Sequence, residues 1–78
     1  IVPQIQRNYK IRDYEKINTD DIDEIHKIGQ ERIKEKGRIL VRLSGTEPLI
    51  RVMGESQDEK YLNQTLDYLM NLIEKRFN

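Results

Sequence analysis

Apolar residues change their spacing along this chain, and each change marks an element. From Gln4 to Ile11, Ile5, Tyr9 and Ile11 alternate loosely with Gln6, Asn8 and Lys10, which predicts a half-buried strand. A polar stretch from Asp13 to Asn18 follows. The cluster Asn18-Thr19-Asp20 then offers side-chain acceptors for the free amides that open a helix. Between Asp21 and Lys36, Ile22, Ile25, Ile28 and Ile33 recur at roughly helical steps. Asp21, Asp23 and Glu24 stand near the start and Lys34 and Lys36 near the end, the polarity a helix dipole favours. Gly37 is expected to supply a left-handed turn after the helix. Gly29, which costs about 1 kcal/mol relative to alanine inside a helix, is expected to mark a close approach to a sheet.

Arg38 to Leu43 (R-I-L-V-R-L) and Leu49 to Gly54 (L-I-R-V-M-G) are apolar runs of strand length. The S-G-T-E-P between them is too short for a helical crossover, so the two runs are predicted to form an antiparallel hairpin. Ser56 is expected to open a second helix, because Glu59 stands three residues on at the capping-box spacing. Leu62, Leu66, Leu69, Ile73 and Phe77 then form one stripe at three- and four-residue steps, which reads as core. Helices are thus expected near residues 20–36 and 57–77. The order strand, helix, strand, strand, helix predicts a single α+β domain, a two-layer sandwich of antiparallel sheet and two helices.

Composition narrows the partners. A chain of 78 residues closes around one modest core, and a single small domain rarely supplies both walls of a cleft. Lys plus Arg equal Asp plus Glu at 14 each, and no basic stripe interleaves with aromatics, so nucleic acid is not an expected partner. Cysteine is absent and His26 is the only histidine, which leaves neither a thiolate site nor a histidine pair for a metal; His26 reads as an ordinary helix residue. No run approaches the ~20 apolar residues that span a bilayer, and Pro3, Gln4, Gln6 and Arg7 interrupt any signal-peptide core. No membrane partner and a cytoplasmic setting are therefore expected. Starting at Ile1 without methionine is what a piece of a longer chain would show.

Candidate chemistry concentrates in Arg42-Leu43-Ser44-Gly45-Thr46-Glu47-Pro48-Leu49-Ile50-Arg51. Gly45 lets backbone approach an anion, Ser44 and Thr46 add hydroxyl donors, and Arg42 and Arg51 offer planar forks matched to phosphate oxygens. Pro48 stiffens the loop exit. A symmetric hairpin pairs residues whose numbers sum to 93, placing Ser44 opposite Leu49 and Arg42 opposite Arg51. Facing arginines destabilise a bare sheet, which an anion between them would relieve. Ile50 and Val52 would then point toward the helices. The residues alone leave a second reading open: a polar hairpin turn whose arginines pair with carboxylates such as Glu47 and Glu55.

R-L-S-G-T-E-P-L-I-R-V-M closely resembles the phosphate-binding loop R-P-S-G-T-E-P-L-I-R-V-M in the fourth domain of the phosphohexomutases, in particular their phosphoglucosamine mutase branch. Pro3-Gln4-Ile5 with Asn8 resembles the P-Q-x-L-x-N segment that enters that domain in bacteria. The resemblance runs from near the N-terminus through the second helix. It implies a TATA-binding-protein-like α+β layer, without implying DNA binding, and substrate phosphate binding by Arg42, Ser44, Gly45, Thr46 and Arg51. It departs from the family at Leu43, where proline is usual. Gly45 fits the hexosamine-phosphate branch better than the asparagine of some phosphomannomutases. The implied reaction interconverts glucosamine 6-phosphate and glucosamine 1-phosphate, using a phosphoserine and Mg2+ held by other domains of the parent enzyme. A phosphomannomutase or phosphoglucomutase is the neighbouring alternative, and a stand-alone anion-binding or interaction module the more distant one. The chain alone is expected to bind sugar phosphate and to be inactive.

Overall fold

A computed structural model describes residues 2–78. Its elements run β1 (Gln4–Lys10), α1 (Thr19–Ile33), β2 (Gly37–Leu43), β3 (Leu49–Ser56) and α2 (Glu59–Phe77), with single 3-10 turns at Tyr14–Lys16 and Lys34–Lys36. The strands form one sheet in the order β1-β3-β2. β3 runs antiparallel to both neighbours, so β1 and β2 are parallel to each other and α1 is the crossover between them. This is the α+β sandwich that the element order predicts.

Alternation along the strands sorts the sheet into two faces. Ile39, Val41, Ile50 and Val52 are buried, together with Ile22, Ile25, Ile33, Leu62, Leu66, Leu69 and Ile73 from the helices. Each fully buried Leu or Ile contributes on the order of 1.5–3 kcal/mol over its exposed state. Gly29 does mark a close approach, since a Cβ there would lie 3.0 Å from both Ile39 Cγ2 and Leu69 Cδ1. The two helices cross the same face antiparallel. The Tyr61 hydroxyl near the start of α2 donates to the Arg32 carbonyl near the end of α1 at 2.6 Å, and Arg76 near the end of α2 meets Asp21 (3.6 Å) and Glu24 (2.9 Å) near the start of α1.

The helix boundaries show where local rules hold and where packing overrides them. Asn18 caps α1 through a reciprocal box: Asn18 Oδ1 accepts from the Asp21 amide (2.9 Å) and the Asp21 carboxylate accepts from the Asn18 amide (3.0 Å). Gly37 does not make the left-handed turn. α1 ends at Ile33, and the positive φ falls on Lys34 (52°). By Gly37 the chain is already extended (φ 174°) and lies so close to β3 that a Cβ would sit 2.0 Å from the Glu55 carbonyl oxygen. Ser56 does not open α2 either. It closes the β2–β3 ladder opposite Gly37, and its buried hydroxyl donates to the Lys36 carbonyl at 2.6 Å. Asp58 caps α2 instead, accepting from the Tyr61 amide at 3.0 Å.

Candidate functional site

The hairpin register is the one that a symmetric turn requires. Leu43 pairs with Ile50, Arg42 with Arg51 and Val41 with Val52, and the Ser44 amide donates to the Leu49 carbonyl at 3.0 Å. Because Ile50 and Val52 face the helices, Arg42 and Arg51 emerge together on the open face of the sheet. Asn8 of β1 pairs with Arg51 on the other side, so Arg42, Arg51 and Asn8 form one row across three strands. Gln6, Leu40, Arg42, Arg51 and Met53 line a shallow depression of about 160 Å³ on this face.

The two arginines differ in what holds them. Arg51 lies 3.7 Å from the Glu47 carboxylate, across a partly exposed pair of a kind that contributes little in water. Arg42 is exposed and, among the described residues, has no carboxylate within ion-pair distance. Glu55, the other carboxylate that could have neutralised the hairpin, is ion-paired with Arg38 (3.2 Å) and accepts from Gln4 (3.0 Å) instead. Internal pairing thus satisfies Arg51 in part and leaves Arg42 without a counter-charge.

Between the arginines the loop is anchored at its ends and open at its tip. Ser44 is buried; its Oγ accepts from the amides of Thr46 (3.4 Å) and Glu47 (3.2 Å), folding the turn over its own side chain. At the exit, the Ile11 amide donates to the Pro48 carbonyl at 2.8 Å. Gly45 has no positive φ, and a Cβ built on it would meet nothing within 4 Å. Neither backbone conformation nor neighbouring protein atoms therefore demand glycine there, and the space beside it is free for a ligand. Arg42, Ser44, Gly45, Thr46 and Arg51 are thus gathered on one hairpin end, with Ser44 turned inward and the other four outward or partly outward.

Two features of this end are not legible in the spacing of residues. Tyr14 donates its hydroxyl hydrogen to the Ser44 carbonyl, tying the loop to the single-turn helix before α1. A wider open groove of about 660 Å³ lies beyond Glu47 and Pro48, lined by the end of β1, Arg12 and the C-terminal part of α2; it includes neither Arg42 nor Arg51. Arg7 lies away from the loop and is bound by α2: it donates to Asp67 and, at 2.7 Å, to Asn63. The Asp67 hydrogen bond, the largest influence, raises its already high pKa.

A three-stranded antiparallel sheet, two helices on one face and an arginine-flanked Ser-Gly-Thr hairpin define a class. The chain belongs to the family described as "Phosphoglucomutase/phosphomannomutase, C-terminal domain", which it matches over residues 3–72. Within that class it is similar to proteins named phosphoglucosamine mutase. The protein of Clostridium acetobutylicum is 46% identical over 99% of this chain, and that of Finegoldia magna 43% identical over 95%. The protein of Parvibaculum lavamentivorans is 38% identical over 94%. The chain spans only 16% to 18% of the length of these relatives.

Proposed function

We propose that this chain is the phosphate-holding domain of an enzyme that interconverts glucosamine 6-phosphate and glucosamine 1-phosphate. The observation that carries this reading is the cross-strand pair Arg42–Arg51 on the open sheet face, with one arginine lacking an internal partner beside a glycine tip that nothing covers. A phosphate dianion relieves the like-charge contact, fills that space and accepts from both forks and from the Gly45 amide. The names of the similar proteins favour the hexosamine phosphate over other sugar phosphates. No second observation favours a stand-alone module.

In this reading the domain grips the phosphate that is not reacting, and that remote binding energy positions the other end of the sugar. A clamp that contacts the phosphate and few sugar atoms accepts the substrate in either orientation, as the exchange of the two phosphates requires. Among the described residues no three His, Cys, Asp or Glu side chains converge as a metal ion would need; the reading assigns Mg2+ and the phosphoserine to other domains of the parent. No described helix is long and apolar enough to cross a membrane, and the lack of cysteine is compatible with a reducing, cytoplasmic setting. The test is a titration of glucosamine 6-phosphate into isotopically labelled chain. The amides of Ser44, Gly45 and Thr46 are expected to move first, with no mutase turnover by the chain alone. Shifts spread evenly over the basic surface, or turnover above a buffer control, would overturn the assignment.

A further inference from the structure

We infer that Tyr14 is a positioning residue for the anion site, a role that rests on the reading of the hairpin as a phosphate clamp. The Tyr14 hydroxyl donates to the carbonyl of Ser44. That carbonyl belongs to the same peptide unit as the Gly45 N–H, and no peptide bond among the described residues is cis. In a trans peptide the C=O and the following N–H point in opposite directions within one rigid plane. Fixing the oxygen toward Tyr14 therefore aims the Gly45 N–H away from it.

The neighbouring amides show why this one donor needs an external hold. Ser44 Oγ accepts from Thr46 and Glu47, and the Ser44 amide is spent on Leu49. Among the described residues the Gly45 amide has no backbone or side-chain acceptor, and a Cβ built on Gly45 would meet nothing within 4 Å. Gly45 itself, lacking a Cβ, is the residue least able to hold its own plane. Without Tyr14 the Ser44–Gly45 peptide is free to rotate, and the donor spends part of its time directed elsewhere. Tyr14 stands on its own short turn, Tyr14–Lys16, so it acts on the loop from outside the hairpin.

The test compares Tyr14→Phe with Tyr61→Phe in the full 78-residue chain. Both keep the ring, and both lose one hydroxyl that donates to a backbone carbonyl, since Tyr61 donates to Arg32 far from the loop. Without ligand, 15N relaxation at Gly45 is expected to show increased mobility in Tyr14→Phe and none in Tyr61→Phe. With inorganic phosphate, Tyr14→Phe is expected to bind roughly 3- to 10-fold more weakly, in line with the partial loss of one hydrogen bond to a charged group. The Gly45 shift should shrink more than those of the Arg42 and Arg51 side chains. An unchanged Gly45 amide and an unchanged phosphate midpoint in Tyr14→Phe refute the positioning role, as does equal weakening in Tyr61→Phe. Failure of the unaltered chain to respond to phosphate at the loop refutes the clamp itself, and the ligand-free mobility of Gly45 still decides whether Tyr14 sets the peptide plane.

Discussion

On the proposed reading Arg42 is kept for a ligand, which should cost the unliganded fold something, and Arg42→Thr measures that cost. Arg42 stands opposite Arg51 in the ladder. Like charges facing across an antiparallel pair destabilise by about 0.2–1 kcal/mol. Glu47 at 3.7 Å partly offsets the Arg51 charge, which argues for the lower half of that range, about 0.2–0.5 kcal/mol. Threonine removes the charge and suits a strand. At ~4–8 °C per kcal/mol for a domain of this size, the variant should melt about 1–4 °C higher in a chloride buffer. The gain should shrink in ~1 M salt, where screening acts within ~3 Å. Phosphate should reverse the order. A ligand at roughly tenfold excess over its Kd stabilises the native state by about 1.4 kcal/mol, and only the unaltered chain should collect most of that. Circular dichroism melts in chloride and in phosphate read both effects. A variant that is less stable in chloride by more than ~1 kcal/mol, the upper bound of the like-charge cost, would show that Arg42 supports the fold, and the reasoning from its missing partner would fail.

Gly37→Ala should destabilise by about 2–4 kcal/mol, because its Cβ would sit 2.0 Å from a backbone oxygen that cannot swing aside; urea unfolding checks this. Lys34→Gly should stabilise by about 1 kcal/mol, since φ 52° and ψ −136° suit glycine better than a side chain, and the same assay reads it. Burial is the largest influence on Tyr9, whose hydroxyl donates to the Leu66 carbonyl at 2.9 Å, and it raises the phenol pKa above 10.0. The neutral form is thus favoured in the folded state, a contribution fully present below about pH 10 and lost as pH rises through the folded pKa. Tyr9→Phe should cost about 0.5–1.5 kcal/mol at neutral pH and flatten the decline in stability above about pH 10, as followed by denaturation at stepped pH.

Much of the fold follows from local signals that packing reinforces. Of the predicted core stripe, Leu62, Leu66, Leu69 and Ile73 are buried while Phe77, at the end of α2, is only partly so, and the short S-G-T-E-P connection, closed symmetrically, pairs Arg42 with Arg51. Where tertiary contact outbids a local rule, the sequence misleads. Ser56 satisfies a capping pattern, yet its hydroxyl is drawn into the Lys36 carbonyl because β3 continues two residues beyond Gly54. Gly37 looks like a helix stop, and is required by the proximity of Glu55 instead. At the candidate site, the register and the gathering of Arg42, Ser44, Gly45, Thr46 and Arg51 are legible because one hairpin carries them all. Tyr14 is not, since thirty positions separate it from Ser44 and no periodicity links a short polar turn to a distant carbonyl.

The most direct measurement is the phosphate affinity of the labelled chain beside its Arg42→Ala, Arg51→Ala and Lys60→Ala variants. Lys60 is an exposed charge on α2 and serves as the control; Arg7 does not, because it is bonded to Asp67 and Asn63. Binding by one open wall should be weak, and each loop arginine, a charged donor worth on the order of 1.5–3 kcal/mol when desolvated and less in this exposed setting, should weaken it further when removed, without loss of the fold. Lys60→Ala should leave the midpoint unchanged. Equal weakening by Lys60→Ala and by the loop variants would reduce the clamp to diffuse surface charge and contradict the assignment of the phosphate to this hairpin.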